Sequence, residues 1–85
     1  MESVEVAVLE TPGMPFAVVS VPDDVIEHQS RADLMAAKAV MALRCRVVLM
    51  GQRKQDKRGR AELLEILKYV NVARLPWRTM NWAAD

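Results

Sequence analysis

The densest charge in the chain is the run Gln52-Arg53-Lys54-Gln55-Asp56-Lys57-Arg58-Gly59-Arg60, five cations around one acid, with Arg44 and Arg46 just upstream. Cations at this density suit a phosphate. The run also leads into a segment with a helical repeat, and a helix start already carries roughly half a positive charge from its aligned peptide dipoles. Exposed cations crowded there are disfavoured by about 0.3–1 kcal/mol each, and a bound anion relieves the conflict. Arg53, Lys54, Lys57, Arg58 and Arg60 are therefore the candidate anion-binding set, with a nucleic-acid or phosphate ligand as one functional reading. The plainer reading is a solvated loop whose charges keep the domain soluble. The sequence contains no Walker A, Rossmann glycine, RNP or zinc-finger spacing to add to the first reading.

The second candidate is aromatic. Trp77 and Trp82 are five residues apart, so on one strand they point to opposite sheet faces. One belongs in the core, while the other, with Met80, could anchor a protein interface. Trp77, Met80 and Trp82 are the candidate partner-binding residues. The alternative is a C-terminal strand whose second tryptophan covers its apolar neighbours.

Other reactive groups are sparse. Asp24 and His28 stand at i, i+4, the spacing that puts two ligands on one helical face, but one histidine and a carboxylate are too few for a metal site. Cys45 lies between Arg44 and Arg46. On a strand those neighbours project away from the sulfur, and Cys45 shares a parity with Val47 and Leu49, so it reads as a small core hydrophobe. His28 is the only histidine available as a base. The acids cluster near Asp23 and on helix surfaces, without the paired carboxylates of a general acid–base site. No catalytic residue, metal or cofactor is assigned, and the chain reads as non-enzymatic.

These residues must be positioned by a small scaffold. The 85 residues suit one domain, 1–85, and the 52 % apolar and 27 % charged residues match a soluble globular protein. Apolar runs fall far short of the ~20 residues that cross a membrane. The opening Met1-Glu2-Ser3-Val4-Glu5 has neither the basic nor the apolar region of a secretory leader, so none is expected. A single cysteine excludes an internal disulfide, a Cys-based zinc site and an iron–sulfur cluster, and fits a cytoplasmic setting. A domain of this size buries only about 60–65 % of its unfolded surface, and oligomerisation is a common remedy. Charge is segregated: residues 1–43 sum to −5 and residues 44–85 to +6. Such halves either present a polyanion-facing end or attract each other.

Val4–Leu9 and Phe16–Val21 read as strands of a hairpin around Thr11-Pro12-Gly13, which suits a type II turn. Asp23 or Ser30 opens a helix whose strongest part is Ala32–Leu43. Arg46–Gly51 is a third strand. Like the second it is apolar on both parities, as in strands covered on both faces. Residues 52–60 form a polar loop. Leu63, Leu64, Ile66, Leu67 and Val70 mark a second helix with Asn71 as a C-cap, and Trp77–Trp82 is a short edge strand after Pro76. Met14, Met35, Met41, Met50 and Met80, spread over separate elements, read as core filling.

The order ββαβαβ predicts an α/β (α+β) fold: a small two-layer sandwich of a four-stranded mixed sheet with two helices. Right-handed crossovers that run the same way put both helices on one face and leave the other, apolar, face bare. Crossovers that diverge put one helix on each face. The first arrangement is the expectation adopted. With it comes a function: self-association, most simply as a homodimer, or protein-partner binding through the bare face or the C-terminal edge strand. Nucleic-acid or phosphate binding by residues 52–60 is the alternative, and no membrane contact is expected.

Overall fold

The structure is a computed structural model that describes residues 2–10 and 15–82, with the side chains of residues 2, 3 and 82 outside that description. The expected turn at Thr11-Pro12-Gly13 and Met14 lie outside the described residues. Strand β1 (Glu2–Leu9) pairs antiparallel with β2 (Phe16–Val21). The chain then forms a short helix α1 (Asp23–Glu27), a longer helix α2 (Gln29–Leu43) and strand β3 (Arg46–Gly51), parallel to β2. A two-residue strand β4 (Lys57–Arg58) folds back on β3, and helix α3 (Ala61–Leu67) and a 3-10 turn (Val72–Arg74) lead to β5 (Arg78–Trp82). The order across the sheet is β4-β3-β2-β1-β5.

The mixed α/β class and the ββαβ start agree with the sequence reading, but the sheet has five strands rather than four. The extra strand is β4, inside the expected polar loop. It forms because the chain turns back at once after β3: the Gly51 N–H donates to the Asp56 carbonyl at 2.9 Å, which sets Leu49 opposite Arg58 and Met50 opposite Lys57.

The two-layer expectation is corrected. One buried cluster joins Val4, Val6, Ala17, Val19, Val21 and Leu49 to α1 and α2 through Ile26, Ala32 and Ala39. A second joins Phe16, Val18, Val48 and Met50 to Leu63 and Leu67 of α3. Helices therefore cover both faces, and among the described residues the expected bare apolar face is absent. The cause is the direction of travel. The first crossing steps outward from β2 to β3, whereas the second returns across β2 and β1 to the far edge. A right-handed return in the opposite sense lies on the opposite face. Strands that are apolar on both parities follow from this burial. Val6, Phe16, Val18, Val19 and Val48 have no exposed surface, and each such side chain is worth about 1.5–3 kcal/mol relative to exposure.

The helix breaks at His28 and so starts twice, but neither expected cap is used. Helix α1 begins at Asp23 with Pro22 as its N-cap, and α2 begins at Gln29, not Ser30, with His28 as its N-cap, both without a side-chain cap hydrogen bond. The His28 backbone is extended (φ −112°, ψ 110°). The Asp24 carbonyl, which a continuous helix would give to the His28 N–H, instead accepts from His28 Nδ1 at 2.9 Å. Helix α2 restarts with the Ala32 N–H donating to the His28 carbonyl at 3.0 Å. It ends at Arg44, which takes the left-handed conformation (φ 55°) and donates its N–H to the Val40 carbonyl at 2.8 Å. Helix α3 stops at Leu67, so Asn71 is not its C-cap. Asn71 caps the 3-10 turn instead, its side chain accepting from the Ala73 N–H at 3.1 Å. Of the methionines, Met50 is buried and Met35 and Met80 pack against the core, but Met41 is 79 % exposed and does not fill it.

Candidate functional site

The basic run is held against α1 by the acids of the other half of the chain. The Asp23 carboxylate accepts from the backbone N–H groups of Arg53 at 3.2 Å and Lys54 at 3.4 Å. Lys54 Nζ donates to Glu27 at 3.0 Å. This hydrogen bond, together with the attraction of the Glu27 charge, holds the Lys54 ammonium above its ordinary pKa of 10.5. Arg58 Nε donates to the Ile26 carbonyl at 2.9 Å in a partly buried contact. Such a contact matters more than a surface pair, because the C-terminal carbonyls of a five-residue helix lack helical partners.

The remaining cations are held more loosely. Lys57 Nζ donates to the Gln55 carbonyl at 3.3 Å, and Arg60 Nε stands 3.8 Å from Glu62. Of the candidate anion-binding residues, Lys54 and Arg58 are thus engaged by α1. The charge segregation of the sequence is used inside the molecule to dock α1 on the β3–β4 turn. Gly51 permits this docking, since a Cβ there would collide with the Asp23 carboxylate. Gly59 likewise lies tight against β3, where a Cβ would stand 2.9 Å from Val48 Cγ2.

The aromatic candidates separate. Trp77 is half-buried in the α3-side cluster, and its indole Nε1–H donates to the Val72 carbonyl at 2.7 Å. It is a structural residue that ties the 3-10 turn to the start of β5. Met80 lies opposite Val4 and packs against the α2-side cluster. The two side chains thus serve opposite faces of the sheet. The role expected of the Trp82 side chain lies outside the described residues.

The sheet edges differ in kind. At one end β4 is two residues long and wholly cationic, and short length and cationic side chains both discourage pairing with another strand. At the other end β5 is five residues long, Arg78-Thr79-Met80-Asn81-Trp82, with one charge at its start. Its inner edge pairs with β1 from Glu2 to Val6, and among the described residues no strand lies beyond it. Thr79 and Asn81 are exposed.

The weak chemical candidates resolve simply. The extended backbone at His28 removes the helical face it was to share with Asp24, whose carboxylate pairs with Arg31 at 2.8 Å. Among the described residues no group of three or more His, Cys, Asp or Glu stands where it could hold a metal ion. Cys45 packs beside Val47 on the α2 side of the sheet, as its parity implied, and burial pushes its thiol pKa up. No helix among the described residues is long and apolar enough to cross a membrane. Comparison with known proteins finds no matching family model, no matching curated protein and no matching solved structure.

Proposed function

We propose that this chain is a non-enzymatic association domain that pairs with a second copy of itself along the outer edge of β5. One observation carries the reading. β5 is a five-residue edge with a single charge, in a sheet whose opposite edge is short and cationic. An uncapped strand edge offers a row of N–H and C=O groups to any extended chain, and folded proteins usually blunt such edges. With both sheet faces covered by helices, this five-residue edge is where a second copy adds main-chain hydrogen bonds along a whole strand without repacking the core. The reading is placed in the cytoplasm because the single cysteine fits a reducing compartment.

A twofold, antiparallel pairing centred on Met80 sets Thr79 opposite Asn81 of the copy and Arg78 opposite its residue 82. The two sheets become continuous, and Met80 of each copy meets its counterpart beside the α2-side cluster. Size-exclusion chromatography with light scattering tests this directly. The expected result is twice the 9.6 kDa chain mass. A monomer at all concentrations overturns the reading.

A further inference from the structure

The sheet edge opposite β5 carries an open cavity of ≈ 430 Å³ between α2 and β4. Its floor is apolar: Ala32 and Ala36 of α2, Val47 and Leu49 of β3, and Leu64 of α3. The two alanines stand about one helical turn apart and keep the space open where longer side chains would fill it.

Charges of both signs line the same space. Asp33 enters from α2, and Lys57 and Arg58 enter from β4. Two neutral carbonyls fix the cations: that of Gln55 accepts from Lys57 Nζ at 3.3 Å, and that of Ile26 from Arg58 Nε at 2.9 Å. These contacts position the cations without cancelling their charge. Among the described residues neither cation forms an ion pair with Asp33, and no hydrogen bond or ion pair engages the Asp33 carboxylate. Opposite charges therefore share one cavity without meeting.

That arrangement selects a ligand by charge complementarity. A lone anion is repelled by Asp33, a lone cation is repelled by Lys57 and Arg58, and a neutral apolar molecule gains from the floor alone. A zwitterion with an apolar body matches every part. Its carboxylate accepts from the Nη groups of Arg58, its ammonium donates to Asp33, and both are charge-assisted hydrogen bonds. Its body removes the floor from water. In an α-amino acid the two charges are one carbon apart, which suits opposite charges that face one cavity without pairing. The volume falls in the roughly 300–1,000 Å³ range of small-molecule sites. We propose that this cavity binds an α-amino acid with an aliphatic side chain, its carboxylate on Arg58, its ammonium on Asp33 and its side chain over Ala36, Val47 and Leu64. The site lies on the opposite edge from β5, so it stands or falls independently of the dimer.

Leucine and two analogues test the proposal by calorimetry on the full chain. Isocaproate is leucine without its ammonium, and isoamylamine is leucine without its carboxylate. Leucine binds saturably, and each analogue binds about tenfold or more weakly, because each loses one charged contact and meets the repelling charge alone. Asp33 is exposed, so Asp33→Asn leaves the core intact. It weakens leucine by a similar factor and strengthens isocaproate, since the repelling carboxylate is gone. Ala36→Leu keeps all three charges but fills the floor, so it abolishes leucine binding and places the ligand in this cavity. Circular dichroism and melting curves establish that each variant is folded, and Asp33→Asn alone decides if Ala36→Leu is not. The proposal is overturned by absent or unsaturable leucine binding, by equal binding of either analogue, or by undiminished leucine binding in folded Asp33→Asn. Full leucine binding in folded Ala36→Leu puts the ligand elsewhere and overturns it too.

Discussion

The Asp23 carboxylate occupies the space that a Cβ on residue 51 would need, which makes Gly51 and Asp23 one unit. Gly51 has no left-handed backbone to defend, so its role is to admit the carboxylate. That carboxylate in turn collects the Arg53 and Lys54 N–H groups at the β3–β4 turn. Gly51→Ala should cost about 1–3 kcal/mol, because the added methyl evicts an anchored group. Asp23→Ala alone should cost about 1 kcal/mol for its lost hydrogen bonds. In the double variant the methyl has nothing to evict, so the combined cost should fall short of the sum by about 1 kcal/mol. Urea denaturation of the four proteins measures the cycle, and strict additivity would show that the two residues do not interact.

Lys54 supplies a pH dependence with a defined sign. Its folded-state pKa is raised above the ordinary 10.5, first by the hydrogen bond to Glu27 and then by that residue's charge. Below that ordinary value the ammonium is charged in both folded and unfolded chains, and the pair contributes in full. As pH rises past it and through the higher folded value, the contribution disappears. The melting temperature of wild type should therefore exceed that of Lys54→Met at pH 8, and the two should converge above about pH 10.5. Added salt at pH 8 should also narrow the gap, because both partners are exposed. A gap that persists at high pH would mean that Lys54 acts through its aliphatic stem.

Trp77 has a hydrogen bond and a packing contact that can be separated. Trp77→Phe keeps most of the ring and loses the Nε1–H donated to Val72, at about 1 kcal/mol. Trp77→Ala also opens the α3-side cluster and should cost about 3 kcal/mol. Neither substitution should change the solution mass, because the indole packs in the α3-side cluster and its N–H is taken by the Val72 carbonyl. A mass change in the folded Trp77→Phe variant would move Trp77 back into the interface.

These residues also show where sequence reasoning reaches and where it stops. The bounds of β2 and β3 were legible because Phe16–Val21 and Arg46–Gly51 are short apolar runs between polar breaks. Their two-sided apolarity was legible too. Its cause was not, because the side taken by α3 depends on β5 crossing to β1, a pairing between opposite ends of the chain. β4 left no periodic trace, since Lys57-Arg58 is two cations and exists through the Gly51–Asp56 closure. The Glu27 partner of Lys54 lies 27 residues away and was visible beforehand only as opposite charge in the two halves. The Ile26 carbonyl that Arg58 reaches, 32 residues away, is a neutral backbone group that left no trace in the sequence. Asp33 and Arg58 belong to separate halves of the chain, and only folding brings them to one cavity.

The register of the β5 pairing can be tested by swapping charge. In the twofold arrangement centred on Met80, residues 79 and 81 of opposite copies face each other directly, on the same side of the extended sheet. Both are exposed, so substitution there leaves the core intact. Lysine at both positions, Thr79→Lys with Asn81→Lys, places like charges opposite each other twice in the dimer and gives the edge the cationic character that blunts β4. That variant should run as a monomer with an unchanged circular dichroism spectrum. Thr79→Glu with Asn81→Lys uses the same two positions but places opposite charges across the seam, so it should restore the dimer. Its dimer should weaken as salt rises, because the new pairs are exposed. Light scattering on the three proteins decides the register. A dimer that survives the double lysine forms through another surface, and a glutamate–lysine variant that stays monomeric rules out pairing centred on Met80.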